Sequence, residues 1–86
     1  MNPADTRICK LIEDLLDGRI GAAEFWARSR GACDGASPGA MTAWHLASHF
    51  VTDKDIRQRD PEYGRVEADK LRSLIERLKE PEKVPE

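Results

Sequence analysis

Three dipeptides constrain this chain more than anything else in it: Asn2-Pro3, Ser37-Pro38 and Asp60-Pro61. Each sets a side chain that can cap a helix before a proline, which suits the first helical position because its missing N–H needs no partner there. Each is followed by apolar residues at helical spacing, and no segment alternates with a period of two. The chain is therefore expected to be built from helices alone.

The first segment is "NPADTRICKLIEDLLDG". Asn2 caps it, and Asp5 in the first turn faces the positive end of the helix dipole. Ile8, Leu11, Ile12 and Leu15 share one face, with Leu16 beside them, and Gly18 provides a left-handed stop. A second helix starts at Gly21, a cap lacking a hydroxyl, with Glu24 three residues on. Ile20 and Phe25 have the spacing of a hydrophobic staple, and the helix ends near Gly31. "GACDGASPG" reads as a loop. The third helix opens at Ser37-Pro38, where Gly39 weakens the start. Ala43, Leu46, Ala47 and Phe50 form its stripe, flanked by Met41, Trp44 and Val51. The fourth opens at Asp60-Pro61-Glu62, with a soft first turn at Gly64, and carries Leu71, Leu74, Ile75 and Leu78. Arg72–Glu76 and Arg65–Asp69 are spaced as solvent pairs.

Four amphipathic helices must bury their stripes together, and the short first link makes its two helices antiparallel neighbours. The expectation is an all-α, antiparallel up-down four-helix bundle in one domain over residues 1–79, with a disordered tail over 80–86. The eighty-six residues leave no room for a second core. Between the third and fourth helices, "TDKDIRQR" reads as a connector pinned to the bundle end by Ile56.

Fourteen bases against sixteen acids give a net charge of −2, which is not the basic footprint of a nucleic-acid binder. No apolar run approaches membrane-spanning length. "MNPADTRICK" lacks the layout of a signal peptide, so a cytoplasmic protein is expected. Cys9 and Cys33 form no zinc spacing and in that compartment read as reduced, packed thiols.

His45 and His49 lie four apart on one helical face, with Asp53 a turn further. Such a pair can share a metal ion, but a rigid third ligand is missing, and a half-exposed histidine pair is the plainer reading. No metal and no cofactor are expected. Ser48-His49 has no triad context, and "GACDGASPG" lacks the lysine and strand of a phosphate loop. Catalysis is not expected. Trp26 and Trp44 read as core, with interface anchors as the alternative.

Between His49 and Tyr63, four acids (Asp53, Asp55, Asp60 and Glu62) fall within ten positions of each other, interleaved with Lys54, Arg57 and Arg59. This stretch is either a solvated connector or a binding surface for a basic partner.

Three local patterns resemble the self-protective colicin-like immunity proteins, the family of the colicin D immunity protein. They are "LIEDLLDGRIGAAEF" (11–25), "HFVTDKD" (49–55) and "VEADKLRSLIERL" (66–78), together roughly 35 residues. The resemblance implies a small four-helix bundle that binds the nuclease domain of a tRNA-cleaving toxin. In that family acidic side chains stand in for the phosphates of the substrate and occupy a basic cleft. Asp53 and Asp55 match the family's acidic connector; Asp60 and Glu62 extend it. Two departures stand out: Gly21 replaces the hydroxyl cap, and the three bases dilute the acids. The alternative is a helical interaction module without enzymatic activity, such as a homodimer using Trp26 and Trp44.

Overall fold

The computed structural model describes residues 1–80. Five helices follow one another, with no strand among those residues: α1 (Pro3–Leu16), α2 (Ala22–Ser29), α3 (Pro38–Thr52), α4 (Lys54–Arg59) and α5 (Pro61–Lys79). The chain is all-α. The disordered tail expected over 80–86 lies outside the described residues, apart from Glu80. The Glu80 N–H closes α5 on the carbonyls of Glu76 and Arg77.

The three proline-headed starts form as their chemistry requires. Asn2 Oδ1 accepts from the Asp5 N–H at 2.7 Å, Ser37 Oγ from Ala40 at 3.2 Å, and Asp60 Oδ1 from Tyr63 at 3.2 Å. Gly21 caps α2 with no side-chain bond to give. Gly18 and Gly31 adopt φ of 75° and 69°, the left-handed turns that take the chain out of α1 and α2.

Helices α1, α3 and α5 all touch one another, and α3 lies most extensively along α5. Helix α2 packs on α1. The core takes Ile8, Cys9, Leu11 and Ile12 from α1, Phe25 from α2, Leu71 and Ile75 from α5. From α3 it takes Ala40, Ala43, Ala47 and Val51. Three alanines on the buried side let the α3 backbone lie close to its neighbours. Gly39 continues this seam: a Cβ there would meet Leu78 Cδ2 at 3.2 Å, so the residue that weakens the helix start also admits the end of α5.

Several expectations change. Leu46 is on the outer side of α3, and Phe50, Leu74 and Leu78 are half-buried at the core edge. Trp26 is not core but 42% exposed, set edge-on to Phe25 at 5.2 Å between centroids. Trp44 is half-buried, and its Nε1–H donates to Ser29 Oγ at 3.0 Å, tying α3 to α2. Arg72 reaches Asp17 at 3.9 Å rather than Glu76, and Arg65 pairs with Glu62 rather than Asp69. Both cysteines are free thiols; burial pushes their pKa values up.

Two buried acids knit the upper half together. Asp5 Oδ1 accepts the Ser37 N–H at 2.8 Å, joining the start of α1 to that of α3. Asp14 is buried on α1 and gathers Lys10 (2.9 Å), Arg19 (3.3 Å) and Arg28 (3.2 Å). The Lys10 hydrogen bond holds its carboxyl below the usual value against the opposing effect of burial, with Arg28 assisting.

Candidate partner-binding surface

The acidic stretch is not a loop. Thr52 ends α3, Asp53 makes the bend, and the chain enters α4 for six residues before Asp60 redirects it into α5. Helix formation here follows from charge order: Asp55 lies in the first turn and Arg57 and Arg59 in the last, each opposite the dipole end it complements. Six residues are too few for a helix stable alone, so tertiary contacts must hold it.

Ile56 does not supply them, being 48% exposed. Arg57 does. Its Nε–H donates to the Phe50 carbonyl at 2.9 Å, and its guanidinium carbon sits 3.9 Å from the centroid of the Phe50 ring. The stem of Arg57 packs over Gly64, where a Cβ would stand 3.3 Å from Arg57 Cγ. The glycine that softens the start of α5 therefore makes room for the side chain that anchors α4.

Tyr63 fastens the other end. Its hydroxyl donates to Asp53 Oδ2 at 3.0 Å and its N–H to Asp60 Oδ1, so two of the four acids converge on one residue. The Asp53 bond pushes the phenol above its ordinary pKa, because ionisation would set a phenolate against a carboxylate. Asp53 is half-buried and does not cap α4 with its side chain. Asp60 is exposed but occupied as the cap of α5. Glu62 is exposed and paired with Arg65 at 2.6 Å. Asp55 is exposed and pairs with no base among the described residues.

The bases sort themselves spatially. Lys54 and Arg57 border a small cleft of about 220 Å³ against Leu15, Ile20 and Gly21, on the side of the α1–α2 turn. Asp55 does not border it. Of the three interleaved bases Arg57 alone is half-buried and held by the fold; Lys54 and Arg59 are exposed, with Lys54 at the edge of that cleft.

His45 and His49 are exposed, edge-on, with Nε2 atoms 3.1 Å apart. Among the described residues no third His, Cys, Asp or Glu joins them in a cluster that could hold a metal ion. Among the same residues no helix is long and apolar enough to cross a membrane.

No family model matches the chain, and neither the curated proteins nor the solved structures contain a match to it.

Proposed function

We propose that this chain is a non-enzymatic, cytoplasmic inhibitor of immunity type, which docks a basic protein partner on the α4 elbow. The partner class is the nuclease domain of a bacterial toxin. The four longer helices serve as an up-down bundle that carries the elbow at one end.

The observation that carries this reading is the segregation of charge at the elbow. Asp55 is exposed and unpaired on a pinned helix, while Arg57 is held against Phe50 and Lys54 borders the α1–α2 cleft, which Asp55 does not. A carboxylate in this setting meets a positive cleft without first breaking an ion pair, and steering by opposite charge speeds its encounter. The likeness of residues 49–55 to the acidic connector of the colicin-like immunity proteins supports the same partner. Asp55 and Glu62 are the contact acids in this reading, and Asp53 and Asp60 shape the elbow.

The test is Asp55→Asn, measured for association with a basic ribonuclease domain at two salt concentrations. Association should slow, and its salt dependence should weaken. Rates equal to wild type at both salts would return the stretch to the role of a connector.

A homodimer is favoured by a different observation. Leu46 and Val66 are exposed and line a groove of about 490 Å³ with Leu74. Trp44, spent on Ser29, is not the anchor of such a dimer. Sedimentation that shifts with protein concentration, and no longer does in Leu46→Asp, would select this reading.

A further inference from the structure

On the face formed by α1 and the end of α2 lies a cleft of about 500 Å³, remote in sequence from the elbow. Its walls carry four cations. Arg7 and Lys10 come from adjacent turns of α1, and Arg28 and Arg30 from the end of α2 and the residue that follows it. Leu11 and Ala32, both buried core residues, give it an apolar floor.

Position among the charges matters more than their number. Asp14, almost wholly buried, draws Lys10 and Arg28 together by direct ion pairs at 2.9 and 3.2 Å. It fixes one cation from each helix. Arg7 and Arg30 pair with no acid among the described residues. Asp34 lies beyond Gly31 and lines the neighbouring cleft rather than this one. Four cations against one inward carboxylate leave an excess that a single carboxylate ligand would not neutralise.

We infer that this cleft binds a phosphate monoester, with the phosphate held between Arg7 and Arg30 and an apolar body resting on Leu11 and Ala32. A phosphate monoester offers three terminal oxygens and close to two charges to two guanidinium forks, where a carboxylate offers two oxygens and one charge, which favours the phosphate between two unpaired arginines. The apolar floor favours an organic ester over inorganic phosphate. The ester belongs either to a small molecule or to a phosphorylated side chain of another protein.

The full chain should be titrated with phenyl phosphate, phenylacetate and a phosphotyrosyl peptide, following amide shifts of residues 6–11 and 28–32. Phenyl phosphate or the peptide should bind saturably, and the tighter of the two names the source of the ester. Arg7→Ala/Arg30→Ala should weaken that binding about tenfold or more, by analogy with loss of charge-assisted contacts. Both arginines are exposed, so the variant should melt as wild type does. Saturable binding by neither phosphate, equal or tighter binding of phenylacetate, or wild-type affinity in a folded double variant would each overturn the assignment.

Discussion

Leu71 and Leu74 lie one turn apart on α5 and look equivalent in sequence, yet the structure gives them different weights. Leu71 is 1% exposed and packs in the core, whereas Leu74 is half-buried and lines the open groove beside Leu46 and Val66. Truncating a fully buried leucine removes its transfer free energy and leaves a cavity, about 2–5 kcal/mol together. At Leu74 part of the side chain is already in water, and the void would open to solvent, so about 1–2 kcal/mol is expected. A chain of this size has a total stability of roughly 4–13 kcal/mol, so the Leu71 loss is a large share of it. Urea titration of Leu71→Ala and Leu74→Ala, followed by helical dichroism, separates the two. The milder Leu71→Val serves if the alanine variant is unfolded without urea. Equal losses, or a greater loss at Leu74, would mean that α5 is rotated about its axis relative to the core described.

Asp14 should leave a signature in acid. Its folded carboxyl titrates below the ordinary value of 3.8, so its contribution is complete above that pH and fades as pH falls through the folded value. The melting-temperature gap between wild type and Asp14→Asn should therefore narrow on acidification below pH 3.8; a gap that holds constant would show that the ion pairs carry no stability. Arg57→Ala removes a carbonyl hydrogen bond and a guanidinium–ring contact at the elbow and should cost about 1 kcal/mol, since the site is half-exposed. Hydrogen exchange should quicken selectively in α4; unchanged exchange there would mean that something else holds the helix.

What could be read from the sequence was punctuation. The three caps, the glycine stops and the α1 face each depend on residues within one or two turns, so local chemistry suffices to place them. Helix α3 resisted because apolar residues lie nearly all around it. Ala40, Met41, Ala43, Trp44, Leu46, Ala47, Phe50 and Val51 offer more than one plausible stripe. Packing chose the small ones for the inside, where close approach to α1 and α5 outweighs the size of any single side chain. Helix α4 escaped because six residues hold too little apolar pattern to show a period. Its charge order, Asp55 ahead of Arg57 and Arg59, was the available signal. The roles of Asp14 and Tyr63 were out of reach of spacing alone. Arg28 meets Asp14 only once α2 folds back on α1, and Tyr63 meets Asp53 only once the elbow has formed.

That elbow also bears on how a row of mixed charges would serve as the recognition surface proposed for it. In an unstructured connector, acids and bases one or two residues apart would sample each other's neighbourhood, and the average potential would be near neutral. Ordering such a segment on binding would also cost backbone entropy of about 1–2 kcal/mol per residue. Here Arg57, Tyr63 and the Asp60 cap meet much of that cost before any partner arrives, using contacts inside the fold. The same contacts break the mixing. Arg57 is committed to Phe50, Asp53 to Tyr63 and Glu62 to Arg65. Of the seven charges in the row, Arg57, Asp53 and Asp60 are held by neighbours and keep the shape, while Asp55 and Glu62, the latter in a solvent-exposed pair, are the acids that the proposed partner would meet.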